Sequence, residues 1–174
     1  KANQVIDLVK QEESSPYEHV IFQLIRILKK KSVYPADKIL SWLNRLDFNL
    51  VSNIPFRLQR NGVEKEYQSR LEFFYSNKVK ALFEKKYYAE CIRCCNDAFE
   101  RIDKFHHDND IWINMKKALS FAGINDYSTS LDILLDISSK KEHWTIFSEI
   151  AKLYMSQGDT KNSLNYFFRA ALTN

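Results

Sequence analysis

Residues 144–172, WTIFSEIAKLYMSQGDTKNSLNYFFRAAL, decide the fold. Phe147, Ala151 and Tyr154 share one helical face, Gly158-Asp159 interrupt the pattern, and Ser163, Phe167 and Ala170 resume it on a second run. The stretch predicts a helix, a short turn and a second helix, with the small Ser163 where the two approach closely.

Two earlier stretches lay over it, and a repeated pattern is the first thing to test for in a chain like this. Tyr75, Val79, Ala81, Leu82, Tyr88, Cys91, Cys95 and Ala98 form the first copy; Trp112, Ala118, Leu119, Gly123, Tyr127, Ser130, Leu134 and Ile137 form the second. The first has Lys86 where the third has its turn glycine. The second is aligned with Lys116 at the small first-helix position and two extra residues around Ile124 to Asp126. In this overlay Lys80, Lys117 and Lys152 occupy one position, and Asn77, Asn114 and Glu149 another, one turn earlier on the same face.

Composition agrees with helices throughout. In 174 residues there are 3 glycines and 3 prolines, against roughly a dozen and about nine at average usage. That excludes a sandwich, a barrel or a glycine-rich phosphate loop, and no sheet is expected. Apolar residues at 45%, with 14% aromatic, exclude disorder. The 26 Lys+Arg against 22 Asp+Glu give net +4, far from the charge density of a dedicated duplex binder. No apolar run approaches the ~20 residues of a spanning helix and no signal peptide opens the chain, so no membrane is expected and a cytoplasmic protein is. The chain begins at Lys1 and not Met, which points to a piece of something longer.

Outward from the repeats, residues 1–64 form an N-terminal helical part. A helix is predicted over Gln4 to Glu12 on Val5, Leu8 and Val9. A second runs from Pro16 through Ile21, Leu24, Ile25 and Leu28 to Lys29-Lys30-Lys31, cations that complement a helix C-terminus. A third opens at Pro35. Asp47 to Glu64, apolar but aperiodic, is expected to pack across the helices as an arm. Residues 65–174 then hold three helical hairpins.

This second part resembles the tetratricopeptide-repeat family, whose unit is a helical hairpin of about 34 residues. Ala151, Tyr154, Gly158-Asp159, Phe167 and Ala170 all fall in its register. The resemblance implies an all-α solenoid and a non-catalytic module that binds a protein or acidic peptide segment in a concave groove. It places Asn77, Lys80, Asn114, Lys117 and Lys152 in that groove, where asparagine can bond a peptide backbone and lysine can meet carboxylates or phosphates. The same three lysines are also compatible with a merely solvated face. More distantly, Tyr34-Pro35-Ala36-Asp37-Lys38 and Asp108-Asn109-Asp110-Ile111-Trp112 resemble repeat regions joined to nucleic-acid-binding domains. The competing expectation is therefore a nucleic-acid accessory domain, using Lys29 to Lys31, Lys85-Lys86, Lys116-Lys117 and Lys140-Lys141 as a phosphate-tracking strip.

No residue pattern argues for an enzyme, a cofactor or a small-molecule substrate. Cys91-x-x-Cys94 followed by His106-His107 superficially resembles a zinc finger, but adjacent histidines point apart and cannot share one zinc. Three clustered cysteines make no disulfide framework and are expected as core thiols. His106, His107 and Asp108 are expected in an exposed polar loop, with Asp108 or Asn109 as an N-cap.

Overall fold

In the computed structural model, residues 10–12, 16–60 and 62–173 are described. Most of the helix expected over Gln4 to Glu12 lies outside them. The described residues form eight α-helices: α1 (Pro16–Leu28), α2 (Ala36–Leu43), α3 (Arg70–Glu84), α4 (Tyr88–Arg101), α5 (Asn109–Gly123), α6 (Tyr127–Lys140), α7 (Trp144–Ser156) and α8 (Thr160–Leu172). From α3 onward they pack as three sequential hairpins, α3/α4, α5/α6 and α7/α8. Ahead of them α1 and α2 pair with each other, and α2 lies on α3.

Each hairpin closes by the same device. The backbone N–H groups of Tyr87, Asp126 and Asp159 donate to the carbonyls of Leu82, Phe121 and Tyr154 at 3.0, 2.9 and 2.9 Å. Those of Lys86, Asn125 and Gly158 donate to Phe83, Ala122 and Met155. This is the paired bonding that ends a helix on one left-handed residue, and φ is +59° at Lys86, +66° at Asn125 and +79° at Gly158. Asp126 and Asp159 then cap the second helices, each accepting from the backbone N–H three residues on.

These turns fix the repeat register independently of side-chain type. Lys86, Asn125 and Gly158 are equivalent, so Val79, Ala118 and Ala151 are too, and all three are buried at the helix crossing. The sequence overlay is therefore off by two residues in the second hairpin. Lys116 does not hold the small-residue position; Ala118 does. Lys80 and Lys152 correspond to Leu119, while Asn77 and Glu149 correspond to Lys116.

The core is in two parts. One runs from Ile21 through α2, α3 and α4 to Ile102 and Ile113, so the N-terminal helices share a core with the first hairpin. The other joins α5, α6 and α7, with Leu134, Ile137, Ile146 and Ile150 fully buried. Phe147 and Leu134 are buried as the pattern predicts, whereas Trp112, Leu119, Tyr154 and Phe167 are half-buried because each lies at the edge of its helix pair. Cys91, Cys94 and Cys95 are free and buried. The Cys91 and Cys95 thiols donate to the carbonyls of Val79 and Ile113, both at 3.6 Å, which ties α4 to the helices on either side. Burial pushes the Cys94 thiol up to about 12.

The connector also departs from expectation. It does not lie as an arm without strands: after a short 3-10 turn at Phe48–Leu50 it forms an antiparallel hairpin, β1 (Phe56–Arg60) with β2 (Val63–Tyr67), in the register Phe56 with Tyr67 and Leu58 with Lys65. The physical signal is the Asn61-Gly62 dipeptide between two alternating runs, a strong hairpin mark. Gly62 has φ +76°. A chain poor in glycine still has one where a strand reversal needs it.

Candidate functional site: a basic face on the first helices

The five residues expected in a groove do not stay together. Asn77 is buried and its amide donates to the Phe73 carbonyl at 2.6 Å, inside its own helix. The packing of α2 against α3 is what closes over that helix. Asn114 is half-buried at the level that Tyr75 and Phe147 occupy in the other hairpins. Lys117 is half-buried within electrostatic reach of Cys95, on the side of α5 that faces α4. Lys80 and Lys152 are exposed, and Lys152 is paired with Glu149 at 2.6 Å.

What the fold does bring together is Lys29, Lys80 and Lys116. Lys116 is held below the usual lysine range, by burial first; Glu84 opposes the shift and Lys80 adds to it. Lys29 is lowered likewise, by burial, then by Lys80 and Arg26. Lys80 thus feels a cation on each side. None of the three has a carboxylate within ion-pair distance among the described residues. Each ammonium lies instead over a ring: Lys29 5.6 Å from the centroid of Phe73, Lys80 4.5 Å from Tyr34, and Lys116 4.0 Å from Phe83. Such contacts orient a cation without neutralising it. The sequence overlay missed Lys116 because its two-residue slip placed that side chain in the core.

Three other lysines of the phosphate strip are held in local ion pairs. Lys85 is bound to Asp37 at 2.9 Å, Lys140 to Asp136 at 2.7 Å and Lys141 to Asp108 at 2.6 Å. They form separate pairs at helix ends and not one continuous basic track.

The loop between α4 and α5 also departs from expectation. His106 is buried, not exposed. Its Nδ1 lies 2.8 Å from Glu72 and its Nε2 3.0 Å from Glu66, while its backbone N–H donates to Glu72 at 2.7 Å. Glu72, fully buried, also accepts from the Asn109 amide at 2.7 Å. Burial pulls the imidazole down, but the bonds to Glu66 and Glu72 and their charges outweigh it and hold the group above its ordinary 6.5. The cluster is a clamp joining β2, α3 and the start of α5. The two residues after it, His107 and Asp108, take left-handed backbone, φ +54° and +58°, and the Asp108 side chain makes no cap bond. Among the described residues no three His, Cys, Asp or Glu side chains are grouped so as to hold a metal ion.

No family model and no curated protein matches the chain by sequence. Solved structures do match by shape. MamA MSR-1, a tetratricopeptide-containing protein, superposes with a TM-score of 0.63 at 10% identity, covering 97% of this chain and 82% of that one. MamA AMB-1 gives 0.52 at 7% identity, covering 91% and 96%. The chain therefore has a tetratricopeptide-like solenoid fold. No helix among the described residues is long and apolar enough to cross a membrane.

Proposed function

We propose that this chain is a non-catalytic interaction module whose first-helix face grips an acidic segment of a partner protein. The observation that carries the reading is the cluster of Lys29, Lys80 and Lys116: Lys80 lies within electrostatic reach of both other ammonium groups, burial lowers Lys29 and Lys116, and none of the three is ion-paired with a carboxylate among the described residues. An anion set between them removes the repulsion and restores the lost hydration as charge-assisted hydrogen bonds. Lys152, at the position of Lys80 in the third hairpin, is exposed but already paired with Glu149 at 2.6 Å. The tetratricopeptide-like fold supports a protein partner. The local pairing of Lys85, Lys140 and Lys141 speaks against a nucleic acid tracking the whole length. Three buried, unbridged thiols support a reducing compartment, hence the cytoplasm.

Binding of an acidic peptide library and of a mixed-sequence single-stranded oligonucleotide, each at two salt concentrations, tests this. Lys116→Glu should weaken the peptide by about tenfold or more, equivalent to ~1.4 kcal/mol. Lys117→Glu should leave it nearly unchanged. Equal effects of the two substitutions would remove the assignment of the face, and tighter oligonucleotide binding with a steep salt dependence would replace the partner class.

A further inference from the structure

A second surface adjoins the lysine face at Phe73, whose ring lies under both Lys29 and Arg26. The β-hairpin stands off the helices and leaves a cleft of about 380 Å³ between itself and α1 and α3. Phe22 and Phe73 form its floor, and Phe56 and Leu58 of β1 form one wall. Leu58 is 59% exposed and Phe56 46%, so an apolar wall faces water. Ile54, just ahead of β1, is 73% exposed. Apolar side chains are placed beside a concavity of this size where something else is to be buried.

The rim states the chemistry of that occupant. His19 and Arg26 of α1, Arg70 of α3 and His107 line the cleft, and among the described residues no carboxylate does. Arg70 is satisfied from behind by buried Glu18 at 2.7 Å. Arg26 has no such partner among the described residues and lies 4.9 Å from the Phe73 centroid. A nucleic acid fits poorly. Arg26 lies over the Phe73 ring and Arg70 over the Phe56 ring, so a base stacking on those faces would meet a guanidinium already there. Two of the polar groups in the cleft are already engaged: the Gln68 side-chain oxygen accepts from Asn109, and Ser69 caps α3. An apolar floor with a cationic rim fits a side chain that is large and apolar, carried on a backbone with acidic neighbours.

We propose that the cleft under the β-hairpin is a docking site for a partner peptide in which bulky apolar residues are flanked by carboxylates. It differs from the lysine face in offering an apolar anchor, and neither Lys80 nor Lys116 lines it.

The test uses the full chain and a short fluorescein-labelled peptide, Asp-Asp-Leu-Phe-Asp-Asp in a Gly-Ser background, read by anisotropy. Two substitutions come from opposite walls and from exposed side chains, Leu58→Asp on β1 and His19→Glu on α1. Each should weaken binding by about tenfold, and Lys116→Glu should not. Replacing Leu-Phe by Ser-Ser, or all aspartates by asparagines, should abolish or strongly reduce binding to the unaltered protein. Loss with only one of the two wall substitutions, or with neither, overturns the proposal. So does loss with Lys116→Glu alone, which would assign the peptide to the lysine face and leave that reading standing. Displacement of the peptide by a short single-stranded RNA would likewise overturn the peptide assignment.

Discussion

His106 is the residue on which most separate elements depend, and its chemistry makes stability depend on pH. It lies between Glu66, which the bonds from Lys104 and His106 hold down to about 2, and the fully buried Glu72. Arg57 and Lys104 face Glu66 from outside. Because the imidazole is held above 6.5 in the folded chain, its contribution is complete below that value and disappears as pH rises through the raised one. Because Glu66 is held below its ordinary 4.5, its contribution is complete above that value and disappears as pH falls toward about 2. The clamp is thus strongest between the ordinary values 4.5 and 6.5. His106→Gln leaves Glu72 buried without a cation, and should cost about 3 kcal/mol near pH 6. It should also flatten the fall in melting temperature from pH 6 to 8. A variant with an unchanged slope would show that His106 carries no charge in the folded chain. The residue types involved are plain in the sequence, but the thirty-four positions between Glu72 and His106 are joined only by folding.

At the scale of elements, the hairpin turns decide which residues share a face. Lys86 adopts φ +59° where the third hairpin has Gly158 at +79°. A side chain in that region is strained by roughly 1 kcal/mol. Lys86→Gly should therefore stabilise the protein by about 0.5–1 kcal/mol in urea unfolding, while Gly158→Ala should destabilise it by a similar amount. Neither should alter helix content. A loss of stability in Lys86→Gly would mean that the lysine side chain contributes more than its backbone costs. The three hairpins are legible in the sequence because helical periodicity and small crossing residues are local signals. Their register in the second hairpin is not, because Asn125 holds the left-handed position that the pattern assigns to glycine, and Gly123 stands two residues before it. The same shift moved Lys116 from an assumed core position to the basic face. The β-hairpin escaped for another reason: its Asn61-Gly62 signal occupies a few residues, and a composition argument averages over the whole chain.

For the molecule as a whole, the two cores predict a gradient of stability. The first binds α1 to α4, Ile113 of α5 and the connector through Val51. The second ends at α8, whose single fully enclosed side chain is Ser163, and whose outer stripe holds Leu164 at 51% and Phe168 at 68% exposure. Repeat arrays are held by neighbour contacts, so a terminal helix with one neighbour opens first. Hydrogen exchange should be fastest in α8, slower in α5 and α6, and slowest in α3, which is packed by α2, α4 and α5. Equal protection along the chain would show one cooperative unit in place of a graded array.

The sequence by itself determined the helical class, the three hairpins, the buried thiols and the small residues at the crossings, because each depends on spacing within one or two turns of chain. Tertiary structure decided which lysines meet, that Asn77 turns inward, that His106 is enclosed by two carboxylates, and that a strand pair stands over an open cleft. Those depend on where distant helices come to rest, and a slip of two residues turns a helical side chain through about half a circle, from the core to the surface or from one face to another.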